Sequence, residues 1–461
     1  MRVPWKKTYL DGNSFMNENP AQSNEPETDP MEARNVALQI LSTVLDKHIM
    51  LDTALETSNG FMDLPTPRDR AFTRMIVTTA LRRLGQIDDL IRKASSNPGK
   101  EISPPLLKHI LRIGVTQIIF MDVPDHAAVN TSVIMAEQNN LAKTKGFVNA
   151  VLRKIASHGK EWTTRQDIPR LNTPEWILRL IVNDYDLGTA VEIGQAHMSE
   201  APLDLTLKNH EQTAHWKAHL DATELPTGTL RLKKGGRIED LDGYTSGSWW
   251  VQDAAAALPA TLFGNVCDKT IADLCAAPGG KTAQLASRGA NVIALDRSAR
   301  RLVRFRENIE RLGLEKNVRT EAADASVWSP SVNIDGVLLD APCTASGTLR
   351  KHPDMGWLKG EKDLSTMVAT QGKLLNNAAN MLGSGGILVY CTCSIFKDEG
   401  ERQVKKFLNT HAEFSRKPIT PDEVGGLTEF IDERGDLRIL PHHLQGLGGI
   451  DGFFISRLIK R

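Results

Sequence analysis

Two apolar segments of the chain each end in cysteine. Ile387–Ser394 carries Cys391 and Cys393 near its end, and Val337–Cys343 ends in Cys343. Both segments have the composition of buried strands, and open α/β sheets bind their ligands at the carboxyl ends of strands. We therefore expect the thiols to meet at one sheet edge, where a cysteine can serve as a nucleophile.

Two other interpretations of the cysteines stay open. Cys391 and Cys393 with Cys275 and Cys343 could form a four-thiolate zinc site, but structural zinc pairs usually have about two to four intervening residues. Inert packing in the core suits Cys391 and Cys267, since free cysteine is often buried. The five cysteines of this chain are too few and too clustered for a disulfide scaffold.

A glycine-containing loop precedes both segments. Ile271–Thr282 predicts a strand, a loop of small residues and the start of a helix. Gly279 and Gly280 let the backbone approach a ligand closely and expose amide hydrogens at a helix N-terminus. The loop lacks the spacing of the dinucleotide fingerprint and of the P-loop. A cofactor without a pyrophosphate therefore fits it better.

Two acids follow at the ends of later strands. Asp296 is placed to bind a ribose diol, and Asp324 to meet an adenine amine. The alternative is that both acids only cap helices. Together with the glycine loop, they favour S-adenosylmethionine over a nicotinamide cofactor.

A methyl donor beside a thiol indicates one class of acceptor, carbon 5 of a pyrimidine. That carbon is a poor nucleophile until a thiolate adds to carbon 6. Asp340 could then hydrogen-bond the ring nitrogen and exocyclic amine of cytosine as charge develops. An amino-group methyltransferase needs no thiol and would show an Asn/Asp-Pro-Pro-aromatic loop, from which Asp340–Cys343 departs.

The composition is that of a globular chain long enough for several domains. The 461 residues are 41% hydrophobic and 24% charged, with Lys+Arg equal to Asp+Glu at 56 each. No apolar run approaches the roughly 20 residues that a spanning helix needs, and the N-terminus lacks a signal peptide. We expect a cytoplasmic protein without membrane contact. The basic run 297–306 is either a solvated helix face or part of an RNA-facing surface.

Periodicity divides the chain into four regions. Residues 1–30 are predicted to be a disordered leader, and 31–160 an all-α bundle. Residues 165–250 predict a helical linker with a small α+β domain. In 251–461 the βαβ pattern of a doubly wound sheet appears, with predicted strands at Thr270–Leu274, Asn291–Leu295, Gly336–Leu339 and Gly386–Tyr390 and helices near 281–288, 298–312 and 363–382.

Five segments together resemble the RNA cytosine-5 methyltransferases. They are the loop Asp273–Thr282, the strand ends Asp340–Cys343 and Thr392–Ser394, and the flanking motifs Trp250–Ala255 and Asp451–Phe454. The combination is highly specific.

The helical region 31–160 is in turn similar to the antitermination factor NusB. This pairing is typical of the bacterial Sun/RsmB-type 16S rRNA (cytosine-5) methyltransferases, and the resemblance covers 31–461. It implies a multidomain fold: an all-α NusB-like bundle, a small α+β RNA-binding insert and an α/β Rossmann-like class I methyltransferase domain. It also implies S-adenosylmethionine-dependent methylation of a cytosine in 16S rRNA through a covalent cysteine–cytosine intermediate.

The resemblance implies a role for each candidate site residue, which spacing alone does not rank. Cys393 becomes the nucleophile, Cys343 assists product release and Asp340 contacts cytosine. The implied cofactor contacts are Cys275, Ala276, Ala277, Pro278, Gly279, Gly280, Lys281, Asp296, Asp324 and Asp340. Cys391 departs from the small residue of many relatives, and it points to the same side as Cys393 if the strand persists.

The expected partner is RNA, namely 16S rRNA before or during assembly of the small subunit. The target cytosine must be unpaired or flipped out to expose its face. We expect a monomer without a metal ion. The alternatives are a tRNA cytosine-5 methyltransferase and a non-catalytic RNA-binding or assembly factor that keeps the fold.

Overall fold

The computed structural model describes residues 29–233 and 236–461. The predicted leader, apart from its last two residues, lies outside the described residues. The first helix begins at Pro30, where Asp29 Oδ1 accepts a hydrogen bond of 2.8 Å from the Met31 amide. Proline at the first helical position and an acidic cap are typical of helix starts.

A helical bundle follows this start and has one continuous apolar core. Its helices bury residues such as Val36, Ile40 and Val44, which recur along one face as a helical period requires. A π-helical turn, Thr116–Phe120, continues the sixth helix. The helices are α1 (Pro30–Lys47), α2 (Leu51–Thr57), α3 (Asn59–Met62), α4 (Pro67–Arg82), α5 (Leu84–Ala94), α6 (Pro105–Val115), α7 (Asp125–Gln138) and α8 (Lys145–Thr163).

Three linker helices and a small sheet come next. The helices are α9 (Ile168–Asn172), α10 (Glu175–Asp184) and α11 (Leu187–Ala196). The sheet is antiparallel in the order β2-β3-β1-β4. It contains β1 (Asp204–Leu207), β2 (Ala222–Glu224), β3 (Leu230–Leu232) and β4 (Trp249–Val251), with α12 (Thr213–His219) between β1 and β2.

The third region is a mixed sheet with helices on both faces, in the order β10-β12-β9-β8-β5-β6-β7 with β11 paired to β12. Its helices are α13 (Ala254–Thr261), α14 (Gly280–Ser287), α15 (Ala299–Arg311), α16 (Met355–Leu358), α17 (Glu361–Met381) and α18 (Glu401–Thr410). Its strands are β5 (Thr270–Asp273), β6 (Asn291–Asp296), β7 (Val318–Ala322), β8 (Ile334–Asp340), β9 (Leu382–Thr392), β10 (Phe414–Arg416), β11 (Leu437–Ile439) and β12 (Phe453–Lys460). The predicted order of an all-α bundle, a small α+β region and a Rossmann-like α/β domain is confirmed.

The strands β9, β8, β5, β6 and β7 are parallel neighbours, so their carboxyl ends share one edge. In the register, Asp273 lies beside Leu338 and Asp340 lies beside Cys391. Apolar side chains above and below the sheet form two separate cores, one on each face. The candidate site residues therefore follow strands that end at one edge of the sheet, and these strands are mostly buried except β7, whose residues are partly or fully exposed.

In the described ranges, none of the helices has both the length and the apolarity that are needed to cross a bilayer.

Candidate active site

The loop after β5 has the conformation that its glycines allow. Gly279 has a φ of 111°, in the left-handed region that favours glycine. A Cβ atom on Gly280 would lie 3.3 Å from the Gln252 side chain, so a larger residue would crowd this helix start. The amide of Ala276 donates to the carbonyl of Leu295 on β6 at 2.8 Å. The loop thus lies across the ends of β5 and β6.

The two predicted ribose and adenine acids differ in their surroundings. Asp296 is buried against the loop, where its Oδ2 accepts from the Ala277 amide at 3.4 Å and pairs with Arg301 at 3.0 Å. Asp324 is exposed, and its Oδ1 accepts from the amide and hydroxyl of Ser326 at 2.9 and 2.7 Å. Hydrogen bonds from the Ser326 hydroxyl and amide lower the pKa of Asp324. The structure therefore brings Asp296, but not Asp324, into contact with the loop.

Lys281 and Asp340 form a close ion pair between the loop and β8. Lys281 Nζ lies 2.6 Å from Asp340 Oδ2, and its ammonium lies 5.2 Å from the Phe453 ring centroid. Burial alone would lower the pKa of Lys281, but the charge and hydrogen bond of Asp340, together with the nearby Cys391 and Asp273, outweigh burial and raise that pKa. The ammonium is therefore charged and fixed at the sheet edge.

A buried carboxyl group, Asp273, lies below this pair. Its Oδ2 accepts from the Thr282 hydroxyl at 2.6 Å, whereas its buried Oδ1 has no hydrogen-bond partner among the described residues. Burial and, more weakly, the charge of Asp340 raise the pKa of Asp273 to about 7. An unpartnered buried oxygen beside the glycine loop is available to a bound ligand.

The two strand-end thiols meet, as the sequence predicts. Cys343 Sγ and Cys393 Sγ are 3.4 Å apart, and both side chains are partly exposed. The hydrogen bond with Cys393, followed by burial, raises the pKa of Cys343 well above its usual value. Cys343 therefore keeps its proton and can donate it towards the Cys393 sulfur.

The other two cysteines near the edge have different surroundings. Cys391 is fully buried, and its thiol lies 3.6 Å from Asp340 Oδ1. The strand that carries it ends at Thr392, before Cys393. Burial raises the pKa of Cys275 and of Cys391, so both remain neutral thiols. Among the described residues, no group of three or more His, Cys, Asp or Glu side chains is arranged to hold a metal ion.

Sequence reasoning missed a buried ion cluster beside the site. Lys351 Nζ lies 2.8 Å from Asp253 and 2.7 Å from Asp451, which belong to the two flanking motifs. The amide of Gly347 donates to the Cys393 carbonyl at 3.0 Å, so this segment also contacts the thiol turn. The two motif acids were a signal for such a cluster, but nothing in the sequence identified their common partner.

The carbonyls that follow Cys393 are held by residues distant in sequence. Tyr185 Oη on the linker donates to the Ile395 carbonyl at 2.7 Å. Arg438 Nη1 on β11 donates to the Ser394 carbonyl at 2.5 Å. The linker helices therefore take part in building the site.

A parallel sheet with a glycine loop after one strand and acids at the next strand ends defines a Rossmann-like class I methyltransferase. Residues 260–459 match the family described as 16S rRNA methyltransferase RsmB/F, and residues 31–157 match the NusB family. The chain belongs to the family of ribosomal RNA small subunit methyltransferase B.

Individual relatives extend over nearly the whole chain. The probable ribosomal RNA small subunit methyltransferase B of Synechocystis sp. is 32% identical over 452 residues, which cover 93% of this chain and 100% of the relative. The ribosomal RNA small subunit methyltransferase B of Vibrio cholerae is 32% identical over 447 residues, covering 94% and 98%. The crystal structure of PH0851 superposes with a TM-score of 0.72 at 24% identity, covering 94% of this chain and 100% of that one. This last likeness concerns the fold alone.

Proposed function

We propose that this protein methylates carbon 5 of a specific cytosine in 16S rRNA, with S-adenosylmethionine as the donor and Cys393 as a covalent nucleophile. The observation that carries the proposal is the pair of thiols 3.4 Å apart at two neighbouring strand ends. The Lys281–Asp340 ion pair lies at the same edge. Membership of the small-subunit rRNA methyltransferase family favours rRNA over tRNA as the substrate.

The residues present fit S-adenosylmethionine. Asp273, the last residue of the strand that leads into the glycine loop, has a buried oxygen without a hydrogen-bond partner among the described residues. Asp296 is fixed beside the Ala277 amide, where it can hold a ribose diol. Asp324 is the proposed contact for the adenine amine. When bound, the donor supplies an electrophilic methyl group.

The chain's own residues would act on the cytosine in sequence. Cys393 Sγ forms a bond to carbon 6, which makes carbon 5 nucleophilic enough to accept the methyl group. Asp340 accepts from the exocyclic amine, while Lys281 keeps that carboxylate in place. A base removes the proton from carbon 5, and the electron pair left behind forms the carbon 5–carbon 6 double bond as the sulfur–carbon bond breaks, which releases the methylated base and the Cys393 thiolate. We assign assistance in that release to Cys343.

Substitution of the two thiols separately tests the proposal. We expect Cys393→Ala to abolish methyl transfer to 16S rRNA, since carbon 5 is then never activated. Cys343→Ala should instead accumulate a protein–RNA adduct that survives denaturing electrophoresis. The measurement uses radiolabelled donor with naked 16S rRNA, assembling subunits and tRNA. Full activity of Cys393→Ala would reject the mechanism, and labelling of tRNA alone would reject the substrate.

A further inference from the structure

One buried carboxylate, that of Glu399, holds the turn that carries Cys343. Glu399 is completely buried. Its Oε1 accepts from the Thr344 amide and from Gln371 Nε2, each at 2.9 Å. Its Oε2 accepts from the Thr344 hydroxyl. Because Thr344 follows Cys343 directly, Glu399 fixes the backbone on one side of that thiol.

Gln371 extends the same support to the other side of the thiol. Its Nε2 donates to the Pro342 carbonyl at 2.9 Å as well as to Glu399. Lys359 Nζ donates to the Cys343 and Thr344 carbonyls at 3.3 and 3.0 Å. The backbone is therefore held before, at and after Cys343.

Glu399 also contacts the strand that carries the second thiol. Its backbone carbonyl accepts from the Tyr390 hydroxyl at 2.8 Å and from the Thr392 hydroxyl at 3.3 Å. Both donors lie on β9, and Thr392 is the residue immediately before Cys393. One residue thus contacts both thiol-bearing segments.

A group of buried hydroxyls joins the residues that follow the two thiols. Ser394 Oγ lies 3.0 Å from Ser346 Oγ and 3.4 Å from Thr344 Oγ1. All three side chains belong to buried residues. These hydroxyls link the turn after Cys343 to the turn after Cys393, and none of them has a role in the proposed methyl transfer.

We propose that Glu399 is a positioning residue that sets the separation of the Cys343 and Cys393 sulfurs. Three donors converge on its carboxylate, and only an ionised carboxylate accepts from all of them without presenting a donor of its own. Glutamine with its oxygen at the Oε1 position would reverse the bond with the Thr344 hydroxyl and bring a second amide hydrogen that none of these groups can accept, so a buried donor would be left unpaired. The geometric part stands on the contacts alone, whereas the catalytic consequence rests on the proposed function.

The geometry can be measured without RNA or donor. Phenylarsine oxide condenses with two adjacent thiols, forming two arsenic–sulfur bonds and releasing water. Mass spectrometry of the folded protein should show one bridged adduct in the wild type and none in Cys343→Ser. We expect Glu399→Gln to lose the bridge although each thiol still reacts singly with a monofunctional disulfide reagent. Methyl transfer should fall about 100-fold in kcat with little change in KM, as for a small misplacement of reacting groups.

Two sets of variants separate positioning from general destabilisation. Asp436 is the matched control, a buried carboxylate that accepts from Ser456 at 2.6 Å and Arg416 at 2.9 Å rather than from residues of the two turns. Asp436→Asn should keep the arsenical bridge. Thr344→Val should weaken the bridge, and Thr344→Ser should restore it.

The proposal is overturned if folded Glu399→Gln bridges like the wild type, or if Asp436→Asn loses the bridge equally. If Glu399→Gln does not fold, the contrast between the valine and serine variants at position 344 decides, and equal bridging by both overturns the proposal. If the wild type methylates no RNA but Glu399→Gln still loses the arsenical bridge, the positioning role is supported and the proposed function is rejected.

Discussion

The Lys281 side chain lies between two acids at the sheet edge. Its ammonium lies 2.6 Å from Asp340, and the buried Asp273 adds a further negative field that raises the pKa of this lysine. Without the ammonium, Asp340 would face the Cys391 thiol and Asp273 with no cation between them. Lys281 therefore holds the Asp340 side chain in one orientation at this edge.

We expect Lys281→Met to reduce methyl transfer by about 100-fold or more, comparable to removal of one preorganised electrostatic group from an active site. Single-turnover transfer to 16S rRNA measures this effect. The matched control is Lys460→Met, at the opposite edge of the sheet. Lys460 Nζ donates to the Ala379 and Leu382 carbonyls at 3.1 and 2.7 Å, so its loss also removes an ammonium from backbone acceptors. Equal rates in the two variants would contradict the role of Lys281.

At the scale of elements, the parallel strands were predictable and their supports were not. The predicted strand Thr270–Leu274 is observed as β5 (Thr270–Asp273). A short apolar run between turn residues has few conformations other than a buried strand. By contrast, β12 (Phe453–Lys460) is buried along most of its length on both faces. Its sequence therefore lacks the alternation of apolar and polar residues that would predict a strand. The antiparallel strands after β9 were therefore missed.

The same difference applies within the candidate site. The two thiols were predicted to meet because each ends its own strand, which is a local pattern. The contact between Thr344 and Glu399 joins residues 55 positions apart, and no local pattern encodes it. The role order of the thiols came from family resemblance and remains a prediction.

The end of α11 provides a pH-dependent contribution to stability. His197 follows this helix and is buried, and its Nε2 has no hydrogen-bond partner among the described residues. Burial, followed by the charges of Arg350 and Arg82, lowers its pKa from 6.5 to about 3. At a pH between those two pKa values, His197 binds a proton in the unfolded chain but not in the folded protein. Stability should therefore fall as the pH falls through this window.

We expect His197→Gln to remove this acid sensitivity, because glutamine is polar but does not titrate. The difference in unfolding free energy between the wild type and the variant should change by about 1.4 kcal/mol per pH unit inside the window, the slope for one proton. Urea unfolding at several pH values measures it. His126→Gln, at an exposed position of α7, is the control. A difference that does not vary with pH would show that His197 binds its proton as readily in the folded protein as in the unfolded chain.

At the scale of the whole molecule, the helical bundle contacts the catalytic domain close to the site. The Leu51 amide donates to Asp354 at 2.8 Å, and Trp357 Nε1 donates to the Leu81 carbonyl at 3.0 Å. Arg300 on α15 lies 3.2 Å from Glu56 on α2. The segment after the Cys343 turn and the basic helix α15 therefore both face the bundle.

One face of α15 borders the glycine loop that follows β5. Arg301 donates to the Ala277 carbonyl at 2.5 Å, and Asn308 donates to the Pro278 carbonyl at 3.1 Å. Arg304 lies between them at helical spacing, is exposed, and is close enough to Asp52 to lower the pKa of that carboxyl, after stronger effects from His352 and Arg74. Its guanidinium therefore lies on the face of α15 that borders the glycine loop, near Asp52 of the bundle.

We predict that Arg304 binds an rRNA phosphate, so that Arg304→Gln weakens binding about equally for all RNA sequences. The slope of log K against log salt concentration should become less steep by about one, the change expected for one lost phosphate contact. Binding of a 16S rRNA fragment is measured over a salt series. The control is Arg461→Gln. Arg461 follows β12, and the end of β12 pairs with β9 near Ile387, at the sheet edge opposite the thiols. An unchanged slope for Arg304→Gln would place the RNA path away from α15. An equal decrease of the slope in both variants would show that the slope reports only the net charge of the protein.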